Sequence, residues 1–514
     1  MGLLMSESVR DNPLDLLIVG GGINGAGVAR DAAGRGLRVM LCERDDLAAH
    51  TSSASTKLIH GGLRYLEHYE FRLVAKALRE REVLLRAAPH IIWPLRFVMP
   101  HVDGLRPRWM IRAGLFLYDS LGGRSSLPRS HAIRLDQHVA GQALNGGLRH
   151  GYVYSDCWVE DARLVVLNAM DAAEHGALIR PRTEVIRAER EANHWRVELQ
   201  DSVSGERETV HARALVNAAG PWVGKRLTGG STNSQRTVRL VKGSHLVVPR
   251  IGEQEEAYIL QNPDRRIVFV IPYEGQYSLV GTTEELFTDD PAQATISDAE
   301  TDYLLQTVQR FFGQVLQRQD IVWTYSGVRP LVEDEAVDAS AITRDYQLAL
   351  EGENGAPMLT IYGGKITTFR RLAEDVMSKL AEPLGMENGP WTVKAPLPGG
   401  DMADADFDAW QEKTVARHPW LDAAVCRRLC RAYGTRVERL LNGATNARDL
   451  GPEIAPGVFE AELAYLRDAE WARTGEDALW RRSKLGLHLT PEARDAVSGW
   501  FSEKICPSSI EARR

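Results

Sequence analysis

Residues 15–19, Asp-Leu-Leu-Ile-Val, form a short apolar run followed at once by glycines, which reads as a buried parallel strand. A helical pattern runs from Gly25 to Gly36, and Leu37-Arg38-Val39-Met40-Leu41-Cys42 then reads as a second strand ending at Glu43. Strand, helix and strand within about 30 residues make a βαβ unit. Residues 70–90 carry Leu73, Ala77, Val83 and Leu84 among charges, the spacing of a helix. Residues 180–220 read as alternating strands ending in ALVNAAGPWVG. Between 238 and 283 the runs VRLVKGSHLVVP, EAYILQ, RRIVFVIPY and YSLVGTT predict a mostly antiparallel sheet beside the first unit. A helix over about 297–312 separates these from IVWTYSGVRPLV and AITRDYQLAL, and 358–374 again reads strand, glycine turn, helix. Residues 397–400, Leu-Pro-Gly-Gly, read as a linker into a helical, charged tail.

The length of 514 residues changes the picture from one domain to several, because one core rarely grows past about 250–300 residues. The order of elements predicts an α/β region over 14–396, with nucleotide-binding segments at about 14–70, 150–225 and 355–390. Substrate-domain segments interleave at about 71–149 and 226–354, and a helical domain follows over 400–514. Lys plus Arg is 62 and Asp plus Glu is 69, a net charge of −7, which argues against general nucleic-acid binding but leaves room for a local anion site. Five scattered cysteines fit a reducing, cytosolic setting. Cys426 and Cys430 lie four apart, yet no nearby Cys/His pair completes four ligands, so no metal is expected and they read as structural thiols. The first 15 residues show no signal-peptide core, and no run of about 18 apolar residues occurs. Any membrane contact is therefore expected at the surface.

Gly20-Gly21-Gly22-Ile23-Asn24-Gly25 is a GxGxxG turn between strand and helix. Gly20 permits the turn, Gly22 lets backbone approach a pyrophosphate, and Gly25 lets helix and strand pack closely. The helix N-terminus offers N–H groups and partial positive charge to phosphate. Glu43, about 20 residues on, stands where an acid binds ribose hydroxyls, giving a Rossmann-like dinucleotide fold. NAD and FAD both use this turn. Two stretches favour FAD because they resemble cofactor-side strands of FAD-dependent oxidoreductases: Ala214 to Gly220, with Ala219 in its small-residue end, and Leu359 to Lys365, with Gly364 in its turn. The helix that starts there would aim its N-terminus at the flavin.

Thr51-Ser52-Ser53-Ala54-Ser55-Thr56-Lys57-Leu58-Ile59-His60-Gly61-Gly62-Leu63-Arg64-Tyr65-Leu66 resembles the signature of FAD-dependent glycerol-3-phosphate dehydrogenases. So do Lys242-Gly243-Ser244-His245, Ser326-Gly327-Val328-Arg329-Pro330, Ile342-Thr343-Arg344-Asp345-Tyr346 and Gly363-Gly364-Lys365-Ile366-Thr367-Thr368. The likeness runs in order from about residue 14 to about 500 and includes Glu476-Asp477-Ala478-Leu479-Trp480-Arg481-Arg482 in the tail. It implies oxidation of sn-glycerol 3-phosphate to dihydroxyacetone phosphate, with electrons passed to quinone. It further implies cofactor contacts from Thr51, Ser52, Ser55, Lys57, Leu58, Gly61, Gly62, Thr367 and Thr368 beside those of the glycine turns and Asn24. Lys365 would serve the flavin or the substrate phosphate. Arg64, Arg344 and Tyr65 would hold substrate, and Arg329, between Val328 and Pro330 in an apolar strand, would meet it at the reacting end. His60 and His245 compete for the hydroxyl proton. An oxygen-using glycerol-3-phosphate oxidase and another FAD-dependent amine or hydroxy-acid oxidase are the alternatives, and a homodimer is the expected assembly.

The segment 106–124 has an apolar centre with arginines and aromatics at its ends and is too short to span a bilayer. It reads either as an interfacial helix or as a core helix with arginine ends. A lipid-soluble acceptor favours the first, with the protein on the inner face of the cytoplasmic membrane.

Overall fold

The apolar run near the N-terminus becomes the strand Leu14–Val19, which lies between Val39–Glu43 and Arg207–Asn217 and parallel to both. Leu178–Pro181 and Met358–Tyr362 extend the parallel set, and Gln347–Glu351 adds an antiparallel edge. The computed structural model describes residues 13–102, 106–224, 238–332, 345–352 and 355–505. The helices Ile23–Gly34, Asp161–Glu174 and Phe369–Leu384 cover one face of this sheet, and an antiparallel arm, Thr183–Arg190 with Trp195–Asp201, packs on the other. Cover on both faces is why these strands read as unbroken apolar runs rather than alternating ones.

The second sheet has ten strands. All four runs expected between 238 and 283 are strands in it: Val238–Pro249, Ala257–Gln261, Ile267–Tyr273 and Tyr277–Gly281. Trp323–Val332 pairs antiparallel with Val238–Pro249, setting Arg329 opposite Val241 and Tyr325 opposite His245. The helix Asp298–Phe311 packs on one face through Leu304, Val308 and Phe311. It begins with a capping box, Ser297 and Glu300.

Two central strands have no counterpart in the sequence reading: Ile92–Pro100 and His150–Val159, paired antiparallel. His150–Val159 is buried at nine of its ten positions, so it has no polar face, yet it includes Ser155 and Asp156, which break the apolar run. The chain passes directly from this strand of the second sheet into Asp161–Glu174, which packs against the glycine-turn helix of the first.

The tail folds around a core of its own, with helices Phe407–Arg417, Ala423–Tyr433, Glu460–Ala469 and Pro491–Ile505. Cys426 and Cys430 are free thiols buried in it. The segment at 106–124 becomes the helix Arg108–Leu121, with one side buried and the other exposed. Leu115 and Tyr118 are buried against the second sheet, while Trp109 is 70% and Phe116 61% exposed.

Candidate active site

The glycine turn leaves Leu14–Val19 through Gly20, whose φ of +111° lies in the region that favours glycine. A Cβ on Gly20 would stand 2.5 Å from the Ala218 carbonyl, and one on Gly25 only 1.9 Å from the Gly20 carbonyl. These contacts are backbone on backbone, so neither can yield. Gly22 differs, since a Cβ there would meet only Ser52 Oγ, at 3.0 Å, and would otherwise project into a cleft. Glu43 closes one side. Its carboxylate accepts from the Gly21 N–H at 2.7 Å and from the Asp45 N–H at 2.9 Å, and burial raises its pKa. Ser52 Oγ accepts from the Ile23 N–H at the head of the helix, at 3.0 Å.

The cleft has a volume of about 370 Å³ and draws its walls from five separated stretches, the glycine turn, Cys42 to Ser52, Thr183 to Ile186, Ala218 to Trp222 and Gly363-Gly364, with Pro330 beside them. Asn24 ties the first to the last, its side-chain amide donating to the Gly363 carbonyl at 3.0 Å. Asn24 Oδ1 and Thr368 Oγ1 are buried and have no hydrogen-bond partner among the described residues. Buried orphans of that kind call for a polar ligand. A glycine-floored cleft, a helix N-terminus, an acid at ribose distance and unpaired polar atoms fit a dinucleotide. A larger cavity, about 770 Å³, shares Ala49, His50 and Thr51 with the cleft but is lined by the C-terminal domain and has no glycine turn. The smaller one has the chemistry of a cofactor site.

The stretch 51–62 wraps this region. Thr51 Oγ1 donates to the Val328 carbonyl at 2.7 Å, tying the stretch to the second sheet. Ser55 Oγ and Lys57 Nζ both donate to Asp161, at 2.7 Å each, and Lys57 has no exposed surface. Leu58 is buried in a two-residue strand against Trp158. The Gly61 N–H donates to Tyr118 Oη at 2.8 Å, Tyr118 in turn holds Asp156 at 2.8 Å, and Gly62 takes the left-handed φ of +75°. Asp156, Asp161 and Tyr118, which anchor the motif, were not singled out by sequence, because no local pattern marks a partner 57 to 106 residues away.

Among the substrate-side candidates, His60, Tyr65 and Lys365 lie together. The His60 N–H donates to Thr367 Oγ1 at 3.2 Å, and Lys365 Nζ lies 3.8 Å from the centre of the Tyr65 ring. Burial holds the His60 imidazole below the usual range. Asp156 pulls the other way, and the positive charges of Lys365 and Arg329 lower it further. Half-buried His60 has no side-chain hydrogen bond among the described residues. His245 is enclosed, with Nε2 3.0 Å from Thr56 Oγ1, its ring stacked on Tyr325, and a Cβ on Gly281 only 2.2 Å from the ring. Burial, then Arg329 and Lys57, hold its pKa well below the usual range.

Arg329 differs from the reading that put a lone cation in an apolar strand. Its side chain is 40% exposed, and Nη1 lies 3.8 Å from Glu284 Oε1. Glu333 and Asp334, the acids that follow this strand in sequence, lie outside the described residues, as does Arg344. Half-buried Arg64 makes no ion pair among the described residues.

Residues 15–370 match the family described as FAD dependent oxidoreductase, and residues 391–502 match the C-terminal domain of alpha-glycerophosphate oxidase. A glycerol-3-phosphate dehydrogenase of Pseudomonas aeruginosa is 54% identical over 93% of this chain and 93% of its own. A D-erythritol 1-phosphate dehydrogenase of Brucella abortus is 50% identical over 95% of this chain and 97% of its own. The crystal structure of a Bacillus halodurans glycerol-3-phosphate dehydrogenase complexed with FAD superposes with a TM-score of 0.76 at 26% identity, covering 97% of this chain and 92% of that one.

Proposed function

This chain belongs to the FAD-dependent glycerol-3-phosphate dehydrogenase family, and from that premise we propose how its own residues carry out the reaction. It is an FAD-dependent oxidoreductase that oxidises sn-glycerol 3-phosphate to dihydroxyacetone phosphate. The single observation that carries the site is the cleft that joins the glycine turn, Glu43, the turn at Ala219-Gly220 and Gly363-Gly364, with Asn24 spanning its ends. Bound FAD supplies the two-electron acceptor for the hydride leaving C2. Gly20, Gly22 and Gly25 shape its pyrophosphate site and Glu43 its ribose site, while Thr51, Ser52, Thr367 and Thr368 line its path.

The chain's part in the chemistry is to bind phosphate, aim C2–H and take the hydroxyl proton. Arg64, Lys365 and the Tyr65 hydroxyl form the anion-binding side, joined by Arg344 in this reading. Arg329 stands at the reacting end. His60 takes the proton: burial, Lys365 and Arg329 hold its pKa below the usual range and its side chain has no hydrogen bond among the described residues, whereas His245 Nε2 is held by Thr56 and its ring stacks on Tyr325. Reduction of the flavin by glycerol 3-phosphate without oxygen tests the whole reading.

Electrons then pass to a membrane quinone. The helix Arg108–Leu121 supports this reading, since it turns Trp109, Met110 and Phe116 outward beside Arg108 and Arg112, with Tyr69 and Phe71 exposed on neighbouring elements. No helix among the described residues is long and apolar enough to cross a membrane. In this reading the protein docks on the inner leaflet through the outward side chains of Arg108–Leu121. Quinone-dye reduction without peroxide release separates this acceptor from oxygen. The homodimer belongs to the same proposal and is tested by sedimentation equilibrium. A longer substrate is the second reading, favoured by the 50% identical relative that is a D-erythritol 1-phosphate dehydrogenase, and comparing kcat/KM for the two phosphates decides between them.

A further inference from the structure

The Glu476-to-Arg482 motif of the C-terminal domain is not used in the reaction described above, yet it meets the nucleotide domain at Asp46, at Arg182 and along the helix Asp161–Glu174. Residues 477–482 form a wide helical turn that presents Arg481 and Arg482 to Asp46. Asp46 Oδ2 accepts from Arg481 Nε at 2.7 Å and from Arg482 Nη1 at 2.6 Å, and Oδ1 accepts from Arg482 Nη2 at 2.8 Å. Arg482 is fully buried and also donates to the Glu470 carbonyl at 3.0 Å and 2.6 Å. Asp477 completes the group, holding Arg182 at 2.6 Å and pairing with Arg481.

Asp46 sits in the loop that runs from Glu43 to Ser52, both ends of which are fixed to the glycine turn, at Gly21 and at Ile23. Between them the Ala48 N–H donates to the Gly21 carbonyl at 3.2 Å. One side of this loop lines the cofactor cleft, while Asp46 does not line it and faces the C-terminal domain. A buried bidentate pair fixes orientation as well as position. We propose that the Asp46–Arg482 clamp, with Arg481, is a positioning device by which the C-terminal domain holds the Glu43–Ser52 loop in the shape that retains FAD.

This rests on the FAD reading, and wild-type protein that retains flavin upholds that reading whatever the variants do. The test compares Arg482→Lys and Asp46→Asn holoenzymes with wild type. It measures the rate of FAD release after dilution, by the rise in flavin fluorescence, and the unfolding midpoint with and without excess free FAD. Arg428→Lys is the control, because Arg428 pairs with Glu462 inside the C-terminal core and touches no part of the loop. Loss of a buried charge-assisted pair is expected to speed release roughly 10- to 100-fold, with excess FAD restoring the midpoint. Arg428→Lys is expected to lower the midpoint and leave the release rate unchanged. Wild-type release rates in the clamp variants, or equal acceleration by Arg428→Lys, would overturn the proposal. Should Asp46→Asn fail to fold, Arg482→Lys, which keeps its charge, and Arg481→Gln, at the edge of the clamp, carry the same test.

Discussion

Asn24 and Gly363 lie 339 positions apart in sequence, and the Asn24 amide donates to the Gly363 carbonyl at 3.0 Å. That bond closes the cofactor cleft by joining the turn after the first strand to the turn after the last parallel one. A helix head and a late glycine turn, each ordinary alone, thereby become one site.

Gly22 is the position of the turn that opens on the cleft, with only Ser52 Oγ near its missing Cβ. Gly22→Val is expected to fold and to lose flavin, because the added methyls occupy the pyrophosphate's approach. The check is the flavin-to-protein absorbance ratio after gel filtration, and full flavin content in Gly22→Val contradicts it.

His60, as the base, must be neutral to work. Burial, Lys365 and Arg329 lower its pKa against the pull of Asp156, so kcat/KM falls as pH drops, with the half-point below the usual imidazole value of about 6.5. His60→Asn is expected to remove that acid limb and lower kcat by about 100-fold or more. His245→Asn should instead lower stability and leave the limb in place.

Arg329→Lys keeps the charge and loses the planar fork. The expected loss is roughly 30- to 1000-fold in kcat/KM with flavin content unchanged, corresponding to about 2–4 kcal/mol of transition-state stabilisation. Glu284→Gln, which removes only the carboxylate 3.8 Å away, should change it little. Near wild-type kcat/KM in Arg329→Lys would make Arg329 a structural cation.

His90 is fully buried at the seam with the linker, both ring nitrogens lack partners among the described residues, and burial lowers its pKa to about 3. The unfolded chain binds the proton at about pH 6.5 and the folded chain does not, so this contribution to stability is complete above pH 6.5 and is lost as pH falls toward 3. The slope is at most about 1.4 kcal/mol per pH unit. Urea unfolding of His90→Gln between pH 6 and pH 4 should show a shallower pH dependence than wild type.

The membrane reading predicts co-sedimentation with anionic vesicles at low salt, weakened by high salt as arginine attraction is screened. Trp109→Asp with Phe116→Asp should abolish it and spare dye-linked activity, since both side chains face outward. Leu115 is unsuitable for this test because it is buried.

Much of the site was legible because glycines and an acid at fixed spacing leave a local record, from Gly20 through Gly25 to Glu43. The antiparallel runs from Val238 to Gly281 were legible for the same reason, being bounded by turns. Burial of Arg329 was misjudged because apolar neighbours in sequence, Val328 and Pro330, do not report what lies across the strand, where Glu284 approaches. His150–Val159 went unread because a strand buried on both faces has no period and Ser155 and Asp156 interrupt its apolar run, and Ile92–Pro100 because Pro94 and Arg96 break its own. The contacts of Asp156 with Gly61, of Asp161 with Lys57 and of Asp46 with Arg482 join stretches distant in the chain, and only the fold brings them together.

The central claim is that this chain takes hydride from glycerol 3-phosphate onto bound FAD. Purified holoenzyme mixed anaerobically with sn-glycerol 3-phosphate should bleach its flavin absorbance and yield dihydroxyacetone phosphate in amount equal to the flavin reduced. A flavin that stays oxidised with glycerol 3-phosphate, or that is bleached by an amino acid in its place, would contradict the account.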